Sequence, residues 1–213
     1  MGRLVESLAA SYGGEVVGVV TSAGGIDRIS RGAADVAIDF STAAAVPANI
    51  KHLAASGINV VEGTTGWHAH EAELRELVAR SGIAVLASAN FSIGMGIFLE
   101  LVELASSKWK SATGSGAWIH EAHHSAKKDA PSGTALMLKA AMAGAGYDAP
   151  VDISSSRAGS IPGTHTVGFD SVSETVALTH TVRDRAVFAR GALEAAKWIH
   201  GRRGWFSLRD MLG

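Results

Sequence analysis

Residues 36–62 read VAIDFSTAAAVPANIKHLAASGINVVE, and this stretch decides the fold class. Its two ends, residues 36–40 and 59–62, are short apolar runs rich in β-branched side chains, which predicts strands buried on both faces. The helix predicted between them begins near Val46, because Pro47 is tolerated in a first turn. A strand–helix–strand unit of this kind implies parallel strands joined by a right-handed crossover.

The same alternation extends on both sides of this unit. Residues 15–21 (EVVGVVT) and 83–87 (IAVLA) predict two further buried strands, and residues 1–10 predict an amphipathic helix. Another helix is predicted from an apolar face that ends at Gly82. Repeated units of this type predict an α/β fold with a parallel sheet.

The pattern changes in the second half, where strands follow one another without intervening helices. This change predicts a second, α+β domain over residues 93–185, and a final helix is expected to return to the first domain, residues 1–92 and 186–213. The predicted elements of the second domain are a helix (94–106), a strand (117–122), a polar loop (123–132), a helix (133–143) and three extended segments (151–156, 164–169 and 175–181).

Composition excludes several classes of protein. A net charge of −1 over 213 residues provides no basic field for a nucleic acid or an anionic membrane. The absence of cysteine excludes disulfides, thiolate metal sites and thiol catalysis. No apolar run approaches the roughly 20 residues that span a bilayer, and the N-terminus does not resemble a signal peptide. We therefore expect a cytoplasmic protein that binds neither nucleic acid nor membranes.

Small polar residues and glycines follow three of the predicted strands. These loops are residues 39–42 (DFST), 63–66 (GTTG) and 88–92 (SANFS). In doubly wound sheets, ligands bind at the carboxyl ends of the strands. Each loop alone is compatible with an ordinary turn, but three in succession favour a ligand-binding crevice. We expect a Rossmann-like, dinucleotide-binding first domain.

Two features of the usual dinucleotide-binding fingerprint are missing. The sequence begins inside its first helix, without the first strand and the glycine-rich turn, so about ten further residues are expected before Met1. The predicted strand over residues 15–21 is followed by Ser22 and not by a carboxylate that could hold the ribose. The choice between NADPH and NADH therefore stays open.

The most informative segment is residues 121–134, EAHHSAKKDAPSGT. Its histidines can exchange protons near neutral pH, and a lysine can donate a proton or hold a carboxylate. Residues 131–134 open a helix, whose free N–H groups form an anion site. Two other interpretations remain. One is a metal site formed by the two histidines with Glu121, although imidazole ligands usually lie two or four residues apart and need a third partner; the other is a solvated loop.

The segment EAHHSAKKDAPSGTA resembles the signature of the dihydrodipicolinate reductases, also called 4-hydroxy-tetrahydrodipicolinate reductases, of bacterial lysine and diaminopimelate synthesis. The resemblance covers nearly the whole chain, from the tail of the glycine fingerprint at residues 1–3 to the C-terminal residues 204–212 (GWFSLRDML). It implies a Rossmann-like domain joined to an α+β substrate and oligomerisation domain. It also implies hydride transfer from NADPH or NADH to a small cyclic dicarboxylate, in a homotetramer.

The resemblance also implies roles for single residues. The catalytic pair would be His123, which exchanges a proton, and Lys127, which donates one. Substrate would bind to His124, Gly133 and Thr134, with Arg157, His165 and Arg185 as further candidates. The cofactor would lie against Gly63, Thr64, Thr65, Ser88, Ala89, Asn90 and Phe91.

Two rival interpretations remain. A catalytically silent, N-terminally truncated relative could still oligomerise through the second domain. A related Rossmann reductase, such as an amino-acid or aldose dehydrogenase, would act on another anionic substrate, although the His-His-x-x-Lys spacing argues against it.

Overall fold

A computed structural model describes residues 1–21, 24–111 and 114–213. Ser22, which follows the predicted strand, lies outside the described residues. In chain order the helices are α1 (Gly2–Leu8), α2 (Val46–Ala55), α3 (Glu71–Ser81), α4 (Ile93–Trp109), α5 (Gly133–Gly144), α6 (Ala186–Ile199) and α7 (Leu208–Leu212). The strands are β1 (Val36–Asp39), β2 (Asn59–Glu62), β3 (Ala84–Ala87), β4 (Gly116–His123), β5 (Val151–Arg157), β6 (Thr164–Asp170), β7 (Thr175–Thr181) and β8 (Gly204–Phe206).

The chain forms two compact units. The first contains residues 1–93 and 186–213, and the second contains residues 94–185. In the described part of the chain, no helix has both the length and the apolar character that crossing a membrane demands.

The first unit is built on a parallel sheet with strand order β1-β2-β3-β8. One face, which includes Val60 and Val85, packs in a cluster with apolar residues of α2 and α3. The other face, which includes Val61 and Leu86, packs against the alanines of α6. The strand–helix–strand unit predicted for residues 36–62 is confirmed, and helices on both faces explain why its strands are apolar throughout.

Two sequence-based expectations for this sheet need correction. Residues 15–20 form no strand, and Val17 and Val19 are more than 60% exposed. A strand forms only where it can hydrogen-bond to a neighbouring strand. Among the described residues β1 pairs with β2 alone, so residues 15–20 do not join the sheet beside it. Conversely, residues 204–206 form β8 beside β3, a strand whose three residues are too few to show a periodic pattern.

The second unit is a mixed sheet with strand order β5-β4-β6-β7, covered by α4 and α5. β4 pairs parallel with β5 and antiparallel with β6, so it is central. Its burial alternates strictly from Gly116 to His123, which places Ile119, Glu121 and His123 on the covered face. The predicted α+β character of this half is confirmed.

Close packing of α6 against the loop after β3 provides a test of the first unit. A methyl group added to Gly191 would lie 1.7 Å from the main-chain oxygen of Phe91. We expect Gly191→Ala to lower the free energy of unfolding by about 1–3 kcal/mol, because the loop or the helix must shift. Gly2→Ala is the control, since nothing lies within 4 Å of its added Cβ. Urea unfolding of the two variants should differ clearly, and equal midpoints would contradict this packing.

Candidate active site

A buried carboxylate organises the polar end of the second unit. Glu121, near the end of β4, has no exposed surface. Its Oε2 atom lies 2.5 Å from Nδ1 of His123, two residues further along the same face. Arg157, at the end of β5, donates to both carboxylate oxygens at 2.6 and 2.9 Å. The guanidinium thus forms a two-pronged ion pair with Glu121, the strongest common form of such a pair.

The same carboxylate reaches the start of α5. The main-chain N–H of Ser132 donates to Oε1 of Glu121 at 3.3 Å. The Ser132 hydroxyl caps α5 by accepting the N–H of Ala135, and it also lies 3.2 Å from Nε2 of His165. Glu121 therefore connects two strands to the N-terminus of a helix, where unpaired N–H groups favour anions.

The charges of this cluster follow from its contacts. Burial opposes ionisation of Glu121, but hydrogen bonds from Arg157, Ser155 and His123 outweigh it and lower its pKa to about 2. The same ion pair raises the pKa of Arg157. Burial, assisted by the nearby His123, lowers the pKa of His165 to about 4. At neutral pH the cluster therefore contains an ionised glutamate, a charged arginine and a neutral His165.

Glu121 also fixes the orientation of His123. An ionised carboxylate can only accept, so Nδ1 of His123 carries the hydrogen in this contact. The other ring nitrogen, Nε2, is left to exchange protons with a ligand. Gly163 lies beside that atom, since an added Cβ would approach Nε2 to 3.1 Å. The geometry gives His123 one oriented nitrogen for acid–base chemistry.

The loop after β4 carries the remaining predicted residues. Lys127 is partly buried, and its Nζ donates to Oδ1 of Asp129 at 2.7 Å. This contact lowers the pKa of Asp129. The main-chain oxygen of Asp129 accepts from Arg157 at 2.6 Å, which anchors the lysine loop to the buried cluster. His124 is half-buried and closes a turn by accepting the N–H of Lys127.

Gly133 and Thr134 are the first two residues of α5, beside the capping Ser132. Gly133 is exposed, and nothing lies within 4 Å of the position that a Cβ would take. A carboxylate can therefore approach the first turn of the helix without meeting a side chain. Arg185, in contrast, is an exposed residue just before α6, and no described contact connects it with Glu121.

The possible metal ligands that the structure brings together differ from those that the sequence suggests. The ligand atoms that converge belong to Glu121, His123 and His165, within 4.8 Å of one another, and His124 is not among them. Both oxygens of Glu121 already accept hydrogen bonds from Arg157. The positive guanidinium at that carboxylate disfavours a second cation there.

The predicted cofactor loops follow β2 and β3 in the first unit. The N–H of Thr64 donates to Oε1 of Glu62 at 2.7 Å, and its hydroxyl is buried without a partner among the described residues. The Ser88 hydroxyl donates to the main-chain oxygen of Asn90. Thr65 and Ala89 are exposed, whereas the ring of Phe91 is 1% exposed in the core. Phe91 can meet a ligand only through its main chain.

The sequence patterns do not predict the contacts of Glu121, Ser132 or Glu62. The sequence suggests Glu121 only as a metal ligand, although its spacing of two residues from both Ile119 and His123 already places it on the buried face of a strand. Glu62 continues the buried face of β2 in the same way. A charged residue at a core position of a strand pattern is thus the signal that could have identified both.

Comparisons with known proteins identify the family of this chain. The family profile described as "Dihydrodipicolinate reductase, N-terminus" matches residues 3–91, and the one described as "Dihydrodipicolinate reductase, C-terminus" matches residues 94–212. The chain belongs to the dihydrodipicolinate reductase family. Of its relatives named 4-hydroxy-tetrahydrodipicolinate reductase, the protein of Acidiphilium cryptum (strain JF-5) is 36% identical, with 100% of this chain and 93% of the relative covered. That of Xanthomonas euvesicatoria pv. vesicatoria (strain 85-10) is 43% identical, with 84% and 73% covered.

A solved structure shares the fold of this dihydrodipicolinate reductase family member. The dipicolinate-bound dihydrodipicolinate reductase from Paenisporosarcina sp. TG-14 superposes with a TM-score of 0.74 at 20% identity, covering 83% of this chain and 73% of that one. The Rossmann-like α/β fold with a mixed-sheet second unit is thereby confirmed.

The buried ion pair predicts a dependence of stability on pH. Because the pKa of Glu121 falls from 4.5 to about 2 on folding, its contribution is complete above about pH 4.5 and is lost as the pH falls towards 2. We expect Glu121→Gln to lower the free energy of unfolding at pH 7 by as much as about 3–5 kcal/mol, since Arg157 loses its counter-charge.

Urea unfolding from pH 7 to pH 3 checks this prediction. The difference between the wild-type protein and Glu121→Gln should shrink as the pH falls below about 4.5, because the unfolded wild-type chain then binds a proton at Glu121 whereas glutamine does not titrate. Glu174→Gln, an exposed position in the same unit, is the matched control and should follow the wild type. A difference that does not change with pH would contradict the assigned ion pair.

Proposed function

We propose that this chain catalyses the NADPH- or NADH-dependent reduction of 4-hydroxy-tetrahydrodipicolinate to tetrahydrodipicolinate in lysine and diaminopimelate synthesis. The overall reaction adds a hydride and a proton to the ring and releases water. Relatives with this name align over the full chain, and each reactive position of the family signature is present, which favours an active enzyme over a silent relative. The observation that carries the proposal is the oriented His123 beside the open N-terminus of α5.

The first unit fits the dinucleotide cofactor. Its candidate loops lie at the carboxyl ends of parallel strands, and the buried Thr64 hydroxyl has no protein partner among the described residues. When bound, NADPH or NADH supplies the hydride. The residues proposed to hold it are Gly63, Thr64, Thr65, Ser88, Ala89, Asn90 and, through its main chain, Phe91.

The second unit is proposed to bind the substrate and to move its protons. A carboxylate of the ring would accept hydrogen bonds from the main-chain N–H groups of Gly133 and Thr134, with His124 as a further contact. Nε2 of His123 would exchange a proton with the ring, and the ammonium group of Lys127 would donate one. Positioned acid–base groups of this kind contribute about 10²–10⁴-fold to a rate.

We also propose a cytoplasmic homotetramer that binds neither nucleic acid nor membranes. Ile97, Leu101 and Leu104 of α4 are 47–57% exposed and share one helical face, which supports association through the second unit. The net charge of −1 provides no attraction for polyanions. A nicotinamide-dependent biosynthetic reaction fits the cytoplasm, where this cofactor is available.

The proposed proton transfers are tested by substitution. We expect His123→Ala and Lys127→Ala each to lower kcat by about 10²–10⁴-fold, because each removes a positioned proton carrier. The measurement is NADPH oxidation with 4-hydroxy-tetrahydrodipicolinate as substrate. Lys128→Ala removes the neighbouring exposed charge and should retain near wild-type kcat. His123→Gln, which can still hydrogen-bond to Glu121, separates lost chemistry from lost folding. Full activity of either alanine variant would refute the assignment.

The anion site at α5 is tested with dipicolinate, the planar dicarboxylate that is bound in the similar solved structure. Gly133→Ala meets no protein atom within 4 Å, so the fold should tolerate it. The methyl group would nevertheless cover the first turn, and losing a hydrogen bond to a charged group costs about 1.5–3 kcal/mol. We expect the inhibition constant of dipicolinate to rise about 10–100-fold, with the Kd of NADPH unchanged. Unaltered inhibition would place the carboxylate elsewhere.

A further inference from the structure

Two carboxyl groups lie side by side at the carboxyl ends of β1 and β2. Asp39 and Glu62 are paired in register, so both project from the same face of the sheet. Glu62 has no exposed surface. No described lysine or arginine forms an ion pair with either of them. A buried pair of acids without a cation is costly if both are ionised.

Glu62 is tied to both proposed cofactor loops. Its side-chain Oε1 accepts the N–H of Thr64 at 2.7 Å, and its main-chain oxygen accepts the N–H of Ser88 at 3.0 Å. The main-chain oxygen of Asp39 accepts the N–H of Gly63 at 2.9 Å. The ends of β1 and β2 thus determine where the loops after β2 and β3 begin.

The remaining oxygen of Glu62 requires a hydrogen. Oε2 is buried and accepts no well-aligned hydrogen bond from the described residues, although the Thr64 side chain lies near the carboxyl group. The Asp39 carboxylate, in contrast, accepts the N–H of Ser41 and the side-chain amide of Asn49, both at 2.7 Å. Both oxygens of Asp39 therefore already accept hydrogen bonds, which leaves Asp39 suited to accept rather than to donate. If Glu62 is the protonated member, its acid hydrogen satisfies Oε2 by donation to Asp39.

The surroundings of Glu62 favour the same assignment. Burial, followed by the charge of Asp39, raises its pKa to about 8, although the hydrogen bond from Thr64 acts in the opposite direction. Its partner on β3 is the uncharged Ala87, and α2 contributes the neutral amide of Asn49. α6 packs alanines against the opposite face of the sheet. Asp39 is therefore the charged group that faces Glu62 from the neighbouring elements.

We propose that Glu62 is a positioning residue that remains protonated, donates to Asp39 and holds residues 63–65 and 88–91 in the conformation that accepts the dinucleotide. The inference rests on the proposed function, because it assigns those loops to the cofactor. A neutral Glu62 also keeps a second negative charge away from a polyanionic ligand. Ionisation would break the hydrogen bond to Asp39 and place two repelling carboxylates beside the loops.

This inference predicts that dinucleotide binding weakens in alkaline solution. The acid is neutral below its raised pKa, so affinity should be constant below about pH 8 and fall above it, by up to about tenfold per pH unit. The Kd of NADPH and of NADH is measured by fluorescence between pH 6.5 and 9.5. NADH lacks the 2′-phosphate, so a trend shared by both cofactors does not come from ionisation of that group.

Three variants separate positioning from simple packing. Glu62→Gln keeps an acceptor for Thr64 and a donor for Asp39 but cannot ionise, so its Kd at pH 7 should lie within about threefold of wild type and stay flat up to pH 9.5. Glu62→Leu loses both contacts and should bind at least about tenfold more weakly at every pH. Glu76→Gln, an exposed position on α3, should follow the wild-type curve.

The outcomes are decisive in either direction. The inference is overturned if Glu62→Gln shows the same alkaline rise in Kd as wild type, if Glu62→Leu binds normally, or if the wild-type protein binds neither dinucleotide. Binding is measured without substrate, so the proposed function can fail separately. A protein that binds NADPH with the expected pH profile but does not reduce 4-hydroxy-tetrahydrodipicolinate would refute the reaction and leave the role of Glu62 intact.

Discussion

The contact between the Glu121 carboxylate and the Arg157 guanidinium is the constraint on which the second unit depends. A carboxylate with no exposed surface is tolerated only when its lone pairs are occupied, and here two strands and a helix start supply the donors. Of these donors, His123 and Arg157 are candidate site residues. The third, the N–H of Ser132, directly precedes the candidate substrate-binding residue Gly133. The interaction that neutralises the buried charge therefore also orients His123 and locates the first turn of α5.

The first unit contains a second buried glutamate, but its environment leads to the opposite charge state. Glu121 faces a guanidinium and is held ionised, with a pKa of about 2, whereas Glu62 faces the carboxylate of Asp39 and its pKa rises to about 8. The same residue type thus fits an ion pair in one unit and a neutral acid in the other. Neighbouring charge and solvent access, rather than residue type, determine which chemistry is available.

Much of the fold could be predicted because local patterns decide it. The βα units of residues 36–87 and the strand-rich second half carry their own periodicity, and the segment 121–134 contains side chains for which reactive roles are proposed. Pairing between strands carries no such local signal. Residues 15–20 have the composition of a strand but pair with no strand among the described residues, whereas the three residues of β8 form a strand only because β3 lies beside them. Arg157 and His165 are separated from Glu121 by 36 and 44 positions, so their convergence needs the sheet.

The register of that sheet brings the candidate site residues together. β4 aligns His123 with Arg157 on one side and Glu121 with His165 on the other. Because side chains alternate between the faces of a strand, a slip of one residue would turn Arg157 or His165 away from the buried face and leave the Glu121 charge without its donor. An unpaired buried carboxylate would destabilise the folded state. The need to pair Glu121 therefore also favours this register of the strands. It follows that the pairing of the strands and the orientation of the His123 ring depend on the same contacts of Glu121.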